Sequence, residues 1–404
     1  MNILFITTRY PKSYQEPIVS GVVKNPFSAS LALARAAHEV TVITDGDRSE
    51  QRDFEGVKVY SVGRGFLKGI VSAAFLDVKI ARQFLALRSK KFDIIHIHSG
   101  NLLLLFLLKK LGAVDCPIVY TAHGTSTPEL RANLGGSYSL KSILLRVNGW
   151  VQERIDALMW AHSDLLISAS DYQIEEMNNV YGIPKEKVAR VYNGVDGTRY
   201  SPGREEGLKR RERLGIPKDV PVILFVGRMA RKKGIHLLIQ GARMVMESCG
   251  GAVFVCVAGS TGRHLEYREE IMQALEREGL EGRFRIIEDV VEADLPSFYA
   301  MADVCVFPSL GYESLPTVIY EAMACGVPII TQGSWGTPEV LDEILLSEEE
   351  LLDGTLISTL IATLKDASLR QRVREKYLQR APHFYWDTIR EKYESLYKIA
   401  IQHT

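Results

Sequence analysis

Val304-Cys305-Val306-Phe307-Pro308-Ser309-Leu310-Gly311-Tyr312-Glu313-Ser314-Leu315-Pro316-Thr317-Val318-Ile319-Tyr320-Glu321-Ala322-Met323-Ala324-Cys325-Gly326-Val327-Pro328 reads as strand, loop, helix and the start of a second strand. The first four residues are wholly apolar, as in a parallel strand buried on both faces. Pro316 fits the first turn of a helix, where a missing N–H is no loss. Cys325-Gly326 closes that helix, and the next strand follows at Pro328–Thr331. A strand, a helix and a strand in so few residues is a βαβ unit, the building block of doubly wound parallel sheets.

The same punctuation extends in both directions. Upstream, short β-rich runs lie at Val222–Val226, Val253–Ala258 and Phe284–Ile287, and an earlier set lies at Ile3–Thr7, Val40–Thr44, Val57–Ser61, Ile94–His98, Ile118–Thr121, Leu165–Ser168 and Val188–Tyr192. Helical patterns such as Ser28–Ala37, Gln152–Ala161, Ile235–Met246 and Leu265–Glu278 separate them. Two sets of strands predict two Rossmann-like α/β domains facing a central cleft. The break falls in the Gly-, Asn- and Pro-rich run Asn193–Gly203, giving domains at 1–197 and 198–384 and a terminal helix at 385–404. The 404 residues suit two such domains.

Composition narrows the function. Lys+Arg and Asp+Glu both number 49, so net charge is zero and a general nucleic-acid binder is not expected. The charge is unevenly placed: residues 1–195 carry 23 basic and 18 acidic side chains, or +5, and the remainder carries −5. Five scattered cysteines without C-x-x-C point to a reducing cytoplasm and no zinc site. The N-terminus reads as a strand rather than a signal peptide, and the longest apolar run, Leu102–Leu108, is far short of the roughly 20 residues that span a bilayer.

Ligands of open α/β sheets bind at the carboxyl ends of the strands. The loops after Thr7, His98, Thr121, Val226, Ala258 and Phe307 are therefore where chemistry is expected. After Val226 comes Gly227-Arg228-Met229-Ala230-Arg231-Lys232-Lys233-Gly234. It is neither a Walker A loop nor G-x-G-x-x-G, which argues against a nicotinamide dinucleotide. It offers the guanidinium fork of Arg228 and the ammonium of Lys233 to phosphate oxygens; the plainer reading is a solvated basic loop. After Phe307, the amides of Thr317 and Val318 point out of a helix start, a ready anion site. Glu321 lies inside that apolar helix and needs a polar partner. Sugar or ribose hydroxyls would serve, as would a structural cap or salt bridge.

Glu313 and Glu321 match E-x7-E, and Gly227-Arg228 through Lys233-Gly234 matches G-R-x4-K-G. Together they resemble glycosyltransferase family 4, a retaining, metal-independent family with the GT-B-type fold. Further similarity lies at Gly21 with Ala32–Arg35 and His38–Thr44, at Asp93–Ser99, at Tyr120–Gly124 and at Asn193–Asp196. It spans roughly residues 1–340 and the helix near Trp386–Ile399, which in the family crosses back to the first domain. The resemblance implies that Arg228 and Lys233 bind the diphosphate of a nucleotide sugar and that Glu321 takes the ribose hydroxyls. It implies that Glu313 contacts the donor sugar, with the Leu315, Pro316, Thr317 and Val318 backbone near phosphate. It places His123 by the anomeric centre and Gly21 in the loop of the acceptor side, also close to phosphate. The chain departs from the family pattern at Ser20-Gly21, at Tyr192, at Ser334-Trp335-Gly336-Thr337 where a Gly-Gly turn is usual, and at a shortened Leu341–Leu346.

The function so implied is retaining transfer of a hexosyl group from a UDP- or GDP-sugar to a glycan or lipid-linked hydroxyl, with no cofactor and no metal. Front-face attack is favoured, the leaving phosphate taking the acceptor's proton. A nucleotide-sugar epimerase on the same fold and a non-catalytic nucleotide-sugar-binding protein are the alternatives; E-x7-E argues against the first and the intact charged set against the second. His123 has a plainer reading as a packed strand-end residue. His96 and His98 alternate on a strand, so one is expected to face the core, and neither is given a role. Finally, residues 63–92 hold seven basic side chains against the single acid Asp77, beside a broad apolar set including Phe66, Ile70, Phe75, Ile80 and Phe84. This is an amphipathic helix packed on the sheet, or a surface for anionic lipid on the inner membrane face.

Overall fold

Two parallel sheets organise the computed structural model, which describes residues 1–17, 20–63, 69–100, 102–124, 140–201, 203–259 and 265–403. The first sheet holds β1 (Asn2–Thr7), β2 (Glu39–Gly46), β3 (Glu50–Phe54), β4 (Val57–Gly63), β5 (Ile94–Ile97), β6 (Ile118–Ala122), β7 (Leu165–Ser168) and β8 (Val188–Arg190), in the order β3-β4-β2-β1-β5-β6-β7-β8. The second holds β9 (Val222–Arg228), β10 (Val253–Gly259), β11 (Phe284–Glu288), β12 (Val304–Phe307), β13 (Ile329–Gln332) and β14 (Ile344–Leu346), in the order β11-β10-β9-β12-β13-β14. Every pairing is parallel except β3 with β4. The strand order reverses at β1/β5 in the first sheet and at β9/β12 in the second, the two switch points of doubly wound folds.

The chain divides into two compact units. One comprises Met1–Lys12, Gly21–Asn193 and Trp386–Thr404, the other Ser13–Ser20 and Gly194–Tyr385. Each has its own apolar core. Leu4, Ile6, Ile95, Ile97, Ile118 and Leu166 centre the first, and Ile223, Phe225, Phe254, Val304, Val306 and Ile330 the second. The C-terminal helix Trp386–Gln402 belongs to the first unit through buried Tyr393 and Tyr397.

Two strands lie outside the β-rich runs read from the sequence. β3 is Glu-Gln-Arg-Asp-Phe on the sheet edge, joined to β4 by Glu55-Gly56 with φ of 48° and 83°. Positive φ at both central residues is the type I′ hairpin turn, whose twist suits the strands. β14 has only three residues, within the shortened segment after Val340.

The helix Gly69–Leu87 lies in the basic stretch. Ile80, Phe84 and Leu87 enter the core, while Phe75, Val78 and Leu85 stay exposed. Asp77 accepts the Leu104 N–H at 2.9 Å, so the only acid of the stretch serves the start of the next helix, Leu103–Lys110. Arg64, Phe66 and Lys68 lie outside the described residues, as does the side chain of Ile70. Among the described residues no helix is long and apolar enough to cross a membrane.

Candidate functional site

The second unit's switch point brings the charged residues together. β9 ends on Arg228, and Arg231–Lys233 form one 3-10 turn closing on Gly234 at φ 76°. A Cβ at Gly234 would stand 2.0 Å from the Pro308 carbonyl oxygen, so only glycine lets this loop lie against the one after β12. The Leu310 N–H donates to the Lys232 carbonyl at 2.8 Å, a second tie between the loops. Lys233 and Glu313, 80 residues apart in sequence, consequently form an ion pair. Their side chains are 14% and 17% exposed, shielded enough to strengthen the attraction and open enough to exchange partners.

A narrow, partly open pocket lies beside the pair. Pro316 and Val318 form part of its wall, with Phe225, Phe307, Thr331, Gln332 and Trp335. Pro316 is the residue before the helix rather than within its first turn: its ψ of 136° is extended, and Thr317–Ala324 is the helix. No side chain caps that helix start, which leaves the amides of Thr317 and Val318 for solvent or an anion. Leu315, just before the helix, is buried. Arg228 stands half-buried at the end of β9 and is not part of the pocket wall.

Glu321 is elsewhere. It is 2% exposed, and its Oε2 accepts the Tyr299 hydroxyl at 2.7 Å. The Tyr299 ring meets Tyr200 edge-on, and the Tyr200 hydroxyl donates to Glu292 at 2.9 Å. Burial, then the nearby carboxylates, push both phenols well above their ordinary range. The polar partner demanded by Glu321 thus includes a tyrosine, which no local spacing could have revealed.

Gly21 and His123 belong to the first unit. Gly21 is the first residue of the helix Gly21–Arg35. His123 follows β6, and its Nε2 lies 3.1 Å from His98 Nδ1. The expectation that one of His96 and His98 faces the core is corrected. Residues two apart on a strand share a face, and both rings are buried with centroids 4.1 Å apart. His96 bonds Tyr397 at 2.6 Å and Thr121 at 2.7 Å. Desolvation pushes all three imidazoles down, His123 to about 4, so they are neutral near pH 7. Among the described residues no cluster of His, Cys, Asp or Glu is placed to hold a metal ion.

The reading from sequence missed Tyr299, Gln332 and Trp335. Only Trp335 left a signal, as a bulky residue where a Gly-Gly turn is usual.

Known proteins match this arrangement over nearly the whole chain. Residues 19–199 fit the family described as Glycosyltransferase Family 4, and residues 208–380 fit Glycosyl transferases group 1. An uncharacterized glycosyltransferase of Methanocaldococcus jannaschii is 28% identical, the alignment covering 100% of this chain and 99% of that protein. Sucrose-phosphate synthase from Thermosynechococcus elongatus superposes with a TM-score of 0.79 at 18% identity, over 100% of both chains. Anabaena HepE in complex with UDP-glucose superposes with a TM-score of 0.69 at 21% identity, over 98% of this chain and 99% of that one. With its two parallel α/β sheets, the chain is a GT-B-type glycosyltransferase and belongs to glycosyltransferase family 4.

Proposed function

We propose that the protein transfers a hexosyl group, with retention and without a metal ion, from a nucleoside-diphosphate sugar to a hydroxyl of a glycan or lipid-linked acceptor. The observation that carries this reading is the Lys233–Glu313 pair beside a pocket at the β9/β12 switch point. The second unit binds the donor, and the first, with Gly21 and His123, serves the acceptor side. The donor diphosphate draws Lys233 away from Glu313 and joins Arg228 and the amides of Thr317 and Val318. Glu313, released, accepts the sugar hydroxyls, and Glu321 the ribose hydroxyls. A neutral His123 donates a hydrogen bond to the sugar near its anomeric carbon.

As the glycosidic bond breaks, charge grows on the diphosphate. A cation 4 Å from that charge is worth about 4 kcal/mol at an effective dielectric of 20. Lys233 and Arg228 supply this field in place of a divalent ion. The acceptor hydroxyl attacks from the face the diphosphate leaves, and a phosphate oxygen takes its proton. The UDP-glucose of HepE makes a UDP-sugar the first donor to try, with GDP-sugars next. A cytoplasmic protein with exposed Phe75, Val78 and Leu85 beside basic residues suits an acceptor held at an anionic membrane.

A thermal-shift panel of nucleoside diphosphates and their hexoses tests this. A ligand at a hundred times its Kd adds about 2.7 kcal/mol of stability. The expected result is one base favoured, the shift surviving EDTA, and turnover with the matching sugar also surviving EDTA. No shift with any nucleotide would refute the reading, and activity lost in chelator and restored by magnesium would refute its metal-free part.

A further inference from the structure

Five described non-glycine residues hold positive φ: Ala37, Glu55, Lys91, Asp289 and Trp335. Ala37 follows a helix, Glu55 makes the β3–β4 turn, Lys91 caps a 3-10 turn and Asp289 follows β11. Trp335 differs: it is bulky, and it lines the pocket beside Lys233 and Glu313.

Its φ is 56°, and Gly336 follows at φ −77°, ψ −11°. The Thr337 N–H reaches back to the Ser334 carbonyl at 3.3 Å, closing a four-residue turn. Positive φ at the first central residue and negative φ at the second are the signs of a type II′ turn, which favours glycine at the first position. A tryptophan there loses stability that glycine would keep. What it brings is an indole on the pocket wall, its ring edge-on to Tyr312 with centroids 6.1 Å apart. One pocket then holds a large aromatic face, a carboxylate and an ammonium. A pyranose ring has a matching face of C–H bonds and a rim of hydroxyls.

We propose that Trp335 is a specificity-determining residue, the surface on which the ring of the transferred sugar stacks while Glu313 takes its hydroxyls. This rests on the donor-pocket reading above. It makes recognition of the hexose separable from recognition of the diphosphate: the backbone strain belongs to the sugar contact, and Lys233 to the phosphate.

The test compares wild type, Trp335→Gly and Trp335→Phe by melting temperature and by binding of UDP against UDP-glucose, GDP against GDP-mannose and ADP against ADP-glucose. For Trp335→Gly the melting temperature is expected to hold within about 1 °C or rise by a few degrees. Affinity for the free diphosphate stays unchanged, and the extra affinity contributed by the hexose falls about tenfold. Trp335→Phe keeps most of that extra affinity. A melting temperature several degrees lower in Trp335→Gly overturns the proposal, because it makes the indole a structural anchor. An unchanged gap between diphosphate and sugar nucleotide overturns it as well, as does an equal loss for both. A wild type that binds no nucleotide refutes the donor-pocket reading itself, before any variant is made.

Discussion

The two switch points treat polar side chains in opposite ways. At β9/β12, Lys233 and Glu313 form an ion pair in a partly open pocket. In the first unit His96 and His98, with His123 bonded to His98, are pressed into neutrality by burial. A charged pair with some solvent access can trade its partner for a ligand's charge at small cost. A buried imidazole cannot take a proton without paying desolvation, so it acts through hydrogen bonds alone. The second unit is arranged to meet charge, and the first to place neutral groups.

Acid is the strongest way to break this contrast. The folded-state pKa of each of the three histidines lies below the ordinary 6.5, so the unfolded chain binds more protons as pH falls through that value. Their contribution to stability is whole above about pH 7 and drains as pH drops toward 4. Each contributes a slope of up to about 1.4 kcal/mol per pH unit, or about 4 for three. Asp77 works against them: burial raises it to about 6, so its contribution grows as pH falls through 6 and offsets one histidine. In the second unit His236 is also pushed down by burial, but it is a single, half-buried ring. Hydrogen exchange at pH 5 is therefore expected to lose protection at β5 and β6 before β9 and β12. Equal loss in both sheets would show that the histidines are no special acid weakness.

How much of this contrast was legible beforehand depended on whether the signal was local. Runs such as Val253–Ala258 and Val304–Phe307 are apolar because both faces of a parallel strand are buried, and the pattern is visible in the sequence itself. β3 escaped because an edge strand of Glu, Gln, Arg and Asp has no such run, and Glu55-Gly56 is a weaker turn signal than Asn-Gly. Lys233 and Glu313 were each identifiable, but their pairing was not. It depends on Gly234 accepting a left-handed conformation against Pro308, a contact between distant loops. Glu321 likewise meets Tyr299 across two elements. The histidines were visible, yet two-residue periodicity was read the wrong way for them. Gly21 and His123 lie in the other unit, so their roles rest on motif resemblance alone.

Within the second unit, Lys233→Ala and Glu321→Gln sharpen the comparison between open and buried charge. On the proposed reading Lys233 faces a diphosphate whose charge grows during reaction, so its loss is expected to lower kcat by about 10²–10³-fold. The fold should be little changed, since the pair is partly exposed. Glu321 is buried, and weakening its hydrogen bond to Tyr299 should cost about 1.5–3 kcal/mol of stability. If it also holds ribose, donor KM rises while kcat is nearly kept, because ribose charge does not change along the reaction. Tyr299→Phe separates the two roles: it should lower stability while leaving KM closer to wild type. Steady-state kinetics and melting curves on the three variants decide the matter. An intact kcat in Lys233→Ala, or an unchanged KM in Glu321→Gln, would remove the assigned role.

The smallest effect concerns a third kind of surface, the helix Gly69–Leu87 with its flank. Part of its basic set is already engaged. Lys79 donates to the Gly63 carbonyl, and Lys90 reaches the Tyr60 hydroxyl at 3.3 Å. Arg82, Arg88 and Lys91 remain exposed among the described residues of the stretch. Each exposed cation near an anionic bilayer is worth about 1 kcal/mol, so these three supply about 3 kcal/mol, or roughly a hundredfold preference over neutral lipid. Phe75 at 43% exposure, Val78 at 53% and Leu85 at 43% add apolar contact that salt does not screen. Sedimentation with acidic vesicles is expected, weak with neutral ones and reduced at high salt. Replacing Arg82, Arg88 and Lys91 with Gln should abolish the preference for acidic lipid without moving the melting temperature, because none of the three is buried. Phe84→Ser should instead lower the melting temperature, since that ring belongs to the core. Equal absence of binding to both vesicles would leave the helix as packing alone, and the acceptor would then be sought among water-soluble glycans.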